Sequence, residues 1–438
     1  MHVSHRKVWK LAIPIILANL SVPLVGAVDT AVVGQLPEPA AIGAVALGAL
    51  IFSFLYWGFG FLRMGTSGFV AQAYGAKNRQ VLSETLVRAL LLALLLGLLT
   101  ILLAWPLISL VLYLIDSSVR VESMASGYSY IRIWSAPAVL SIYVFAGVFI
   151  GLQDTRAVLL IQLVLNLTNV ALDFLFVSGF GWGVEGVAIA SLVAEYTAMF
   201  LGLYLLRHHL SEAFNRFNRA RLFDRTALSK LFDANFNIFI RTLCVLFAFS
   251  YFTGRSASLG DVVLAANAIL MHLNSFMAYT LDGFAHAAEA ISGSAYGARD
   301  RKNFRKSVAL TSFWAFVVSL VIAVIFLLTG DRIIEWFTSI PVVSDTARQY
   351  LLWMVLMPIV AIWSFQLDGI FIGATHTREM RHAMIISLVF YLVVVQLSLP
   401  VLGNHGLFLS LILFMVMRAV TLLFHYRNIE NAMNVQAS

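Results

Sequence analysis

Long apolar runs alternate with short polar segments from one end of the chain to the other. Each run has about 20 residues or more, the length that an α-helix needs to cross the hydrocarbon core of a bilayer. The pattern predicts an all-α integral membrane protein with twelve transmembrane helices. Helices are predicted near 9–34, 43–72, 85–113, 124–151, 157–178, 184–206, 234–255, 262–292, 307–329, 346–373, 382–402 and 404–426.

Two motifs occur twice at one spacing. AYGAKNR at 73–79 returns as AYGARDR at 295–301, and GVFIGLQDTR at 147–156 returns as GIFIGATHTR at 369–378, both 222 residues later. Two matches at one offset indicate a duplicated six-helix unit. Because six is even, the copies cross the membrane in the same direction, as in transporters whose parallel repeats flank a central cleft.

The duplication predicts two pseudo-symmetric six-helix bundles, an N-lobe at 1–206 and a C-lobe at 234–438. The segment 207–233 joins them and mixes basic residues with Leu and Phe. That composition favours an amphipathic connector helix lying on the cytoplasmic leaflet, although a calmodulin-like or nucleic-acid-binding segment has a similar pattern.

Composition and charge agree with a membrane protein. Of the 438 residues, 61% are hydrophobic and 12% charged, whereas about a quarter are charged in soluble domains. With a cytoplasmic N-terminus, most of the 29 Lys and Arg lie in inner segments, and the outer loops hold Arg120, Arg255 and Arg332. The positive-inside rule therefore places both termini in the cytoplasm, and the net charge of +7 reflects the bilayer surface rather than nucleic acid.

The cysteine content and the N-terminal apolar run each exclude one class of feature. Cys244 is the single cysteine, which excludes intramolecular disulfides and cysteine-rich metal sites. The basic start followed by an apolar run resembles a signal peptide, but the run is long and has no convincing cleavage site, so we interpret it as a retained helix 1.

Carboxylates inside a bilayer are costly and should face a bundle interior or a wet cavity. On helix 5, Asn166, Asn169 and Asp173 fall on one face at i, i+3 and i+7. Asp29 lies alone in helix 1, with Arg63 as the nearest candidate for a basic partner. Six carboxylates lie well inside the predicted spans: Asp29, Asp173, Glu195, Asp282, Glu289 and Asp368.

Two of these carboxylates close together would hold a proton between them, as proton coupling requires. The same oxygens, with the amides of Asn166 and Asn169, could instead ligate sodium, and the sequence does not separate the two ions.

Other buried charges have an equally good structural explanation. In the C-lobe, Asp282, His286 and Glu289 form a polar stripe on helix 8, and Asp368 and Arg241 complete a candidate ion-pair network. Glu195 is also expected to have a structural partner. The basic residues near or within spans are Arg63, Arg132, Arg241, Arg348 and Arg418.

Helix 1 contains Pro14 and Pro23. Proline removes a backbone hydrogen bond and permits a kink, so a helix with both proline and a titrating acid can couple protonation to bending. A static kink explains the prolines equally well. Aromatic residues in a cleft would suit a flat hydrophobic cation.

The motifs VDTAVVG, AYGA(K/R)(N/D)R, YIRI and GxFIGxxxTR together resemble the multidrug and toxic compound extrusion (MATE) transporters. LDGFAHAAEA, SGSAYGARD and QLDGIFIGATHTREMR are similar to their DNA-damage-inducible F branch. The resemblance implies two six-helix lobes in a V shape in the bacterial inner membrane. It also implies export of organic cations or amphipathic toxins in exchange for protons or sodium.

By motif, the resemblance assigns Asp29 to the family's helix-1 acid, and Asn169 and Asp173 to its helix-5 pair. It assigns Tyr130, with Asn166 and Asp29, to the substrate cavity of the N-lobe, and Pro14 to the bending proline. Sodium-linked relatives have an acid in helix 7 where this chain has Arg241, which favours protons acting in the N-lobe.

The sequence therefore predicts a monomeric, proton-coupled multidrug antiporter that depends on no cofactor or resident metal. The alternatives are a sodium-coupled antiporter, with sodium at Asp29, Asn169 and Asp173, and a flippase for lipids or lipid-linked sugars. An enzyme is not expected, because HExxH and GxSxG motifs are absent from the sequence.

Overall fold

A computed structural model describes residues 3–114, 118–215 and 219–435. Its described residues contain twelve helical spans long and apolar enough to cross a membrane, which confirms the predicted number. The helices are α1 (His5–Val33), α2 (Pro39–Gly58), α3 (Phe61–Gly75), α4 (Arg79–Leu102), α5 (Ala104–Leu114), α6 (Val119–Arg132), α7 (Ala136–Gly151), α8 (Thr155–Asp173), α9 (Gly183–Asn215), α10 (Arg219–Leu222), α11 (Arg225–Ala257), α12 (Asp261–Gly297), α13 (Arg301–Phe337), α14 (Pro341–Gly373), α15 (Thr377–Leu402) and α16 (Asn404–Val435).

Most helices extend beyond the predicted ends, because hydropathy marks the apolar middle of a helix and not its polar termini. The predicted helix 307–329, for example, is the centre of α13. Hydropathy also missed internal breaks: 43–72 covers α2 and α3, and 85–113 covers α4 and α5.

The fourth span is interrupted at a proline. α6 ends at Arg132, a 3₁₀ turn covers Ile133–Ser135, and α7 begins with Pro137 in its first turn. Proline has no N–H to donate and fits the first turn of a helix, where that donor has no helical partner. The fifth span ends differently, since a π-helical turn at Phe174–Gly179 directly follows Asp173.

The connector differs from the predicted surface helix. α9 continues to Asn215 and α11 begins at Arg225, so flanking helices take up most of 207–233. The short α10 is held against α4, where the buried guanidinium of Arg88 donates to the carbonyl oxygens of Leu222, at 2.9 Å, and Arg221. Residues 216–218 of the predicted connector lie outside the described residues.

The chain forms two compact units. The C-terminal unit comprises Met1–Ile16, Ala71–Lys77 and Ser229–Ser438, and the N-terminal unit comprises Leu17–Val70 and Asn78–Leu228. These units differ from the predicted lobes because the first half of α1 and the end of α3 pack with C-terminal helices. Trp9 of α1, for example, meets the ring of Phe284 on α12 edge to face, 5.2 Å between centroids.

The duplication is visible in the backbone of the repeated motifs. Lys77 and Arg299, at equivalent positions, both adopt a positive φ, 54° and 55°. Gln153 and Thr375 are a second equivalent pair, with φ of 64° and 55°. Both pairs are 222 residues apart, so each repeat makes the same left-handed turn before a helix.

Candidate functional site

The predicted polar face of helix 5 is buried. The side chains of Asn166, Asn169 and Asp173 on α8 are 7%, 4% and 0% exposed. Their spacing puts them on one side of the helix, and the apolar residues Leu167 and Ala171, which lie between them in the sequence, are exposed. The stripe therefore faces the interior of the N-terminal unit.

Asp29 of α1 lies against this stripe. Its carboxyl group and that of Asp173 are hydrogen-bonding neighbours when one of them carries a proton. Neither oxygen of Asp173 accepts a hydrogen bond from an N–H or hydroxyl donor among the described residues, and neither does Oδ1 of Asp29. The structure thus brings together the two acids that the sequence placed on different helices.

The neighbouring amides hold α8 to α1 and α9. Asn166 donates through Nδ2 to Ser21 Oγ of α1 at 2.6 Å, and accepts from Gln162 Nε2 at 2.9 Å. Asn169 donates to Ser191 Oγ of α9 at 3.3 Å. These bonds fix the face of α8 that carries Asp173.

A buried ion pair lies beside the two acids. Arg132, the last residue of α6, donates to Glu195 Oε1 of α9 at 2.7 Å and to the hydroxyl of Tyr128 at 2.9 Å. Its positive charge also acts on Asp29 and Asp173. The 3₁₀ turn after Arg132 is held by Ser135, whose Oγ lies 3.0 Å from the hydroxyl of Tyr56.

Sequence reasoning missed this role of Arg132. Arg63 was the nearest candidate partner for Asp29, but the cation that acts on Asp29 is Arg132. Helical spacing of 128 and 132, at i and i+4, would have placed Tyr128 and Arg132 on one face. Tyr130, which the resemblance assigned to the cavity, falls between them, and its side chain is 37% exposed.

The site carries more acid than base. Three carboxylates, those of Asp29, Asp173 and Glu195, interact with the guanidinium of Arg132. One acid is neutralised directly by Arg132. Two carboxylates in close contact and out of water repel each other strongly, so the remaining pair favours binding a proton or another cation.

The prolines of helix 1 lie on either side of a unit boundary. α1 is continuous from His5 to Val33 and passes through both prolines. Pro14 belongs to the C-terminal unit and Pro23 to the N-terminal unit. Pro14 is buried and Pro23 is exposed.

The predicted C-lobe residues form two separate contacts in the C-terminal unit. Asp368 of α14 pairs with Arg241 of α11 and with Arg418 of α16, the second at 2.7 Å. His286 Nδ1 lies 2.9 Å from Glu289 on the same helix, α12. Arg418, which the sequence offered only as a general structural partner, is 4% exposed and completes the first contact, and Asp282 acts on it electrostatically.

Comparison with known proteins shows the family to which the chain belongs. The sequence profile of the MatE family matches the chain twice, over residues 14–175 and 238–399. The chain belongs to the MatE family. It is therefore a multi-pass MATE multidrug transporter, and the two equal matches agree with the duplication inferred from its motifs.

Individual relatives support the same assignment. The MATE chain is 41% identical over 429 residues to DNA damage-inducible protein F of Escherichia coli strain K12, covering 97% of this chain and 93% of that protein. It is 24% identical to a probable multidrug resistance protein NorM of Bacillus licheniformis, covering 97% and 96%. A crystal structure of MATE in the bent conformation has the same fold, with a TM-score of 0.88 at 19% identity over 99% and 97% of the chains.

Proposed function

We propose that this transporter exports hydrophobic organic cations in exchange for protons, with the Asp29 and Asp173 pair as the proton-binding site. The observation that carries the proposal is the contact between these carboxyl groups, in which a protonated Asp29 can donate to Asp173. If the two carboxyl groups shared no proton, Oδ1 of Asp29 and both oxygens of Asp173 would be buried without a hydrogen-bond donor.

Competition for one negative charge supplies the coupling. With one proton on the pair, the two remaining carboxylates exceed Arg132 by one negative charge. A cationic substrate that enters the same environment adds a positive charge, which weakens the attraction for the proton. Exchange follows because the site accommodates either cation better than both together.

Bending of α1 is the proposed conformational step. Pro14 removes an intrahelical hydrogen bond from the part of α1 in one compact unit, and Pro23 does so in the other. Asp29 lies less than two turns beyond Pro23. A proton that changes the contact of Asp29 with Asp173 therefore acts on a helix that is already weakened at two positions.

The proposed proton site lies in the N-terminal unit, and the pairing of Arg241 with Asp368 argues against a second proton site in the C-terminal unit. In the C-terminal unit Asp368 is neutralised by Arg241 and Arg418, so it is a structural ion pair and does not serve coupling. We further propose that the chain works as a monomer in the bacterial cytoplasmic membrane with both termini inside, and that it needs no cofactor besides the coupling ion.

Sodium coupling is the second candidate, because Asp29, Asp173 and Asn169 offer the oxygen ligands that hard cations bind. A flippase for lipids or lipid-linked sugars is disfavoured, since an anionic headgroup would need a basic cavity and the acids Asp29, Asp173 and Glu195 outnumber Arg132 beside them.

Transport by the purified full-length protein in proteoliposomes distinguishes these functions. Ethidium uptake should follow an imposed pH gradient in sodium-free buffer and should not respond to a sodium gradient at fixed pH. The opposite pattern would show that sodium, and not protons, drives transport. Uptake that responds to neither gradient, with lipid scrambling in the same vesicles, would overturn the proposal in favour of a flippase.

A further inference from the structure

A groove lies in the C-terminal unit between α13, α14 and α16, far along the chain from the proposed proton site. Its volume is about 660 Å³, and most of its lining is apolar, including Val308, Ile359, Trp363 and Val416. It opens at the side of the unit, because Leu423 on its wall is 62% exposed and Trp363 is 44% exposed. Such a surface suits a hydrocarbon chain.

One polar side chain in the groove lacks a partner. Gln366 of α14 lines the groove and is 1% exposed, and neither Nε2 nor Oε1 of its amide has a hydrogen-bond partner among the described residues. A buried amide with no partner is unfavourable, because it loses its hydrogen bonds to water and gains none. A ligand with a carbonyl or hydroxyl group at this point would satisfy it.

The groove has the length of one lipid leaflet. Along α16 its lining runs from Val416 to Tyr426, ten residues or about 15 Å at the helical rise. The hydrocarbon core is about 30 Å thick, so the groove covers half of it. Tyr426 marks the end nearer the basic loops that the sequence places in the cytoplasm.

That end of the groove is positively charged. Tyr426 adjoins Glu430, to which Arg305 donates at 2.9 and 2.6 Å and Arg301 at 2.9 Å. Lys302, Lys306 and Arg427 in the same two helix ends are exposed. Basic residues there outnumber the acids Asp300 and Glu430, so an excess of positive charge remains after Glu430 is paired.

We propose that this groove binds one anionic glycerophospholipid of the cytoplasmic leaflet. An acyl chain lies along Trp363 and Val416, an ester carbonyl accepts from the amide of Gln366, and the phosphate lies at the basic helix ends beside Tyr426. From the cytoplasmic end inward, the positive charge, the amide donor and the apolar wall follow the order of the phosphate, the ester and the acyl chain in such a lipid. This site is separate from the proposed proton site and does not depend on it.

Quenching of Trp363 tests the proposal. The full-length protein is reconstituted in dioleoyl phosphatidylcholine with a rising fraction of either phosphatidylglycerol or phosphatidylcholine that carries brominated acyl chains. The signal of Trp363 is the difference between wild type and Trp363→Phe. We expect half-maximal quenching at a fraction of brominated phosphatidylglycerol at least fivefold lower than that of brominated phosphatidylcholine, and no displacement by inorganic phosphate.

Three variants link the preference to the groove. Ala419→Phe fills the groove and should abolish the preference, whereas Ala309→Phe, at an exposed alanine outside the groove, should keep it. Gln366→Leu removes the amide and should weaken phosphatidylglycerol binding about fivefold, which corresponds to one net hydrogen bond. If Ala419→Phe does not fold, Gln366→Leu alone tests whether the lipid binds in the groove. Equal quenching by both lipids in the wild type, or phosphatidylglycerol binding by Gln366→Leu as strong as that of the wild type, would overturn the proposal.

Discussion

The carboxyl group of Asp29 on α1 meets that of Asp173, the residue at which α8 ends and a π-helical turn begins. Irregular turns of this kind are frequent at functional sites. This contact predicts the effect of replacing each acid by itself. If they share one proton, replacing either acid removes the same function.

We therefore expect Asp29→Asn and Asp173→Asn each to lower uptake driven by a pH gradient at least tenfold. An amide can replace the shared hydrogen bond but cannot exchange a proton, so the melting temperature should stay close to that of the wild type. Proteoliposome uptake and thermal unfolding check both points. Asp261→Asn, at an exposed aspartate in the first turn of α12, is the control. Unchanged uptake in either pair variant would contradict a shared proton.

The ion pair of Arg132 and Glu195 is expected to stabilise the N-terminal unit. Arg132 and Glu195 are largely buried, with side chains 17% and 7% exposed. Removing one partner leaves a buried charge, so Glu195→Gln should lower the free energy of unfolding by about 3 kcal/mol. The double variant Arg132→Gln, Glu195→Gln should be more stable than the sum of the single effects predicts. Additive effects in this cycle, measured by denaturation in detergent, would show that the pair is not coupled.

Close backbone packing at Gly75 predicts a second loss of stability. A Cβ there would lie 1.8 Å from the carbonyl oxygen of Ser294, in the same compact unit. Gly75→Ala should therefore separate α3 from α12 and destabilise the protein by about 1 to 3 kcal/mol. Gly254→Ala is the matched control, since a Cβ on Gly254 meets no heavy atom within 4 Å. Equal melting temperatures of the two variants would disprove the close contact.

The cap of α13 predicts a pH-dependent effect. Asp300 accepts from the backbone N–H of Asn303 at 3.0 Å, and this bond lowers the pKa of Asp300 below its ordinary value. A lowered pKa in the folded state stabilises the protein above the unfolded pKa of about 3.9, and the contribution is lost as the pH falls through the lower folded value.

Asp300→Ala should thus cost about 1 kcal/mol at neutral pH, as for other helix caps. The difference from wild type should shrink below about pH 4. Asp300→Asn, which can still cap the helix, should show a smaller loss at neutral pH. A difference that stays constant from neutral to acid pH would contradict an ionised cap.

The sequence could predict what depends on apolar length and repetition. Twelve spans, the duplication and the buried face of α8 all follow from patterns within single segments. The repeated motifs even anticipated the backbone, since Lys77 and Arg299 make the same left-handed turn.

Contacts between distant segments could not be predicted. Asp29 and Asp173 were each recognised as unusual, but only tertiary packing puts their carboxyl groups together. Arg132 was one of five possible structural cations, and no spacing along the chain indicates Glu195 as its partner. The compact units also differ from the predicted lobes because α1 and α3 contribute residues to both.

Proton release on substrate binding tests the central claim most directly. Ethidium is added to purified protein in weakly buffered detergent solution near neutral pH, and an indicator dye counts the protons released for each ethidium bound. We predict about one proton for each bound cation in the wild type and none in Asp29→Asn. Ethidium binding by the wild type with no proton release, or equal release by Asp29→Asn, would contradict the account.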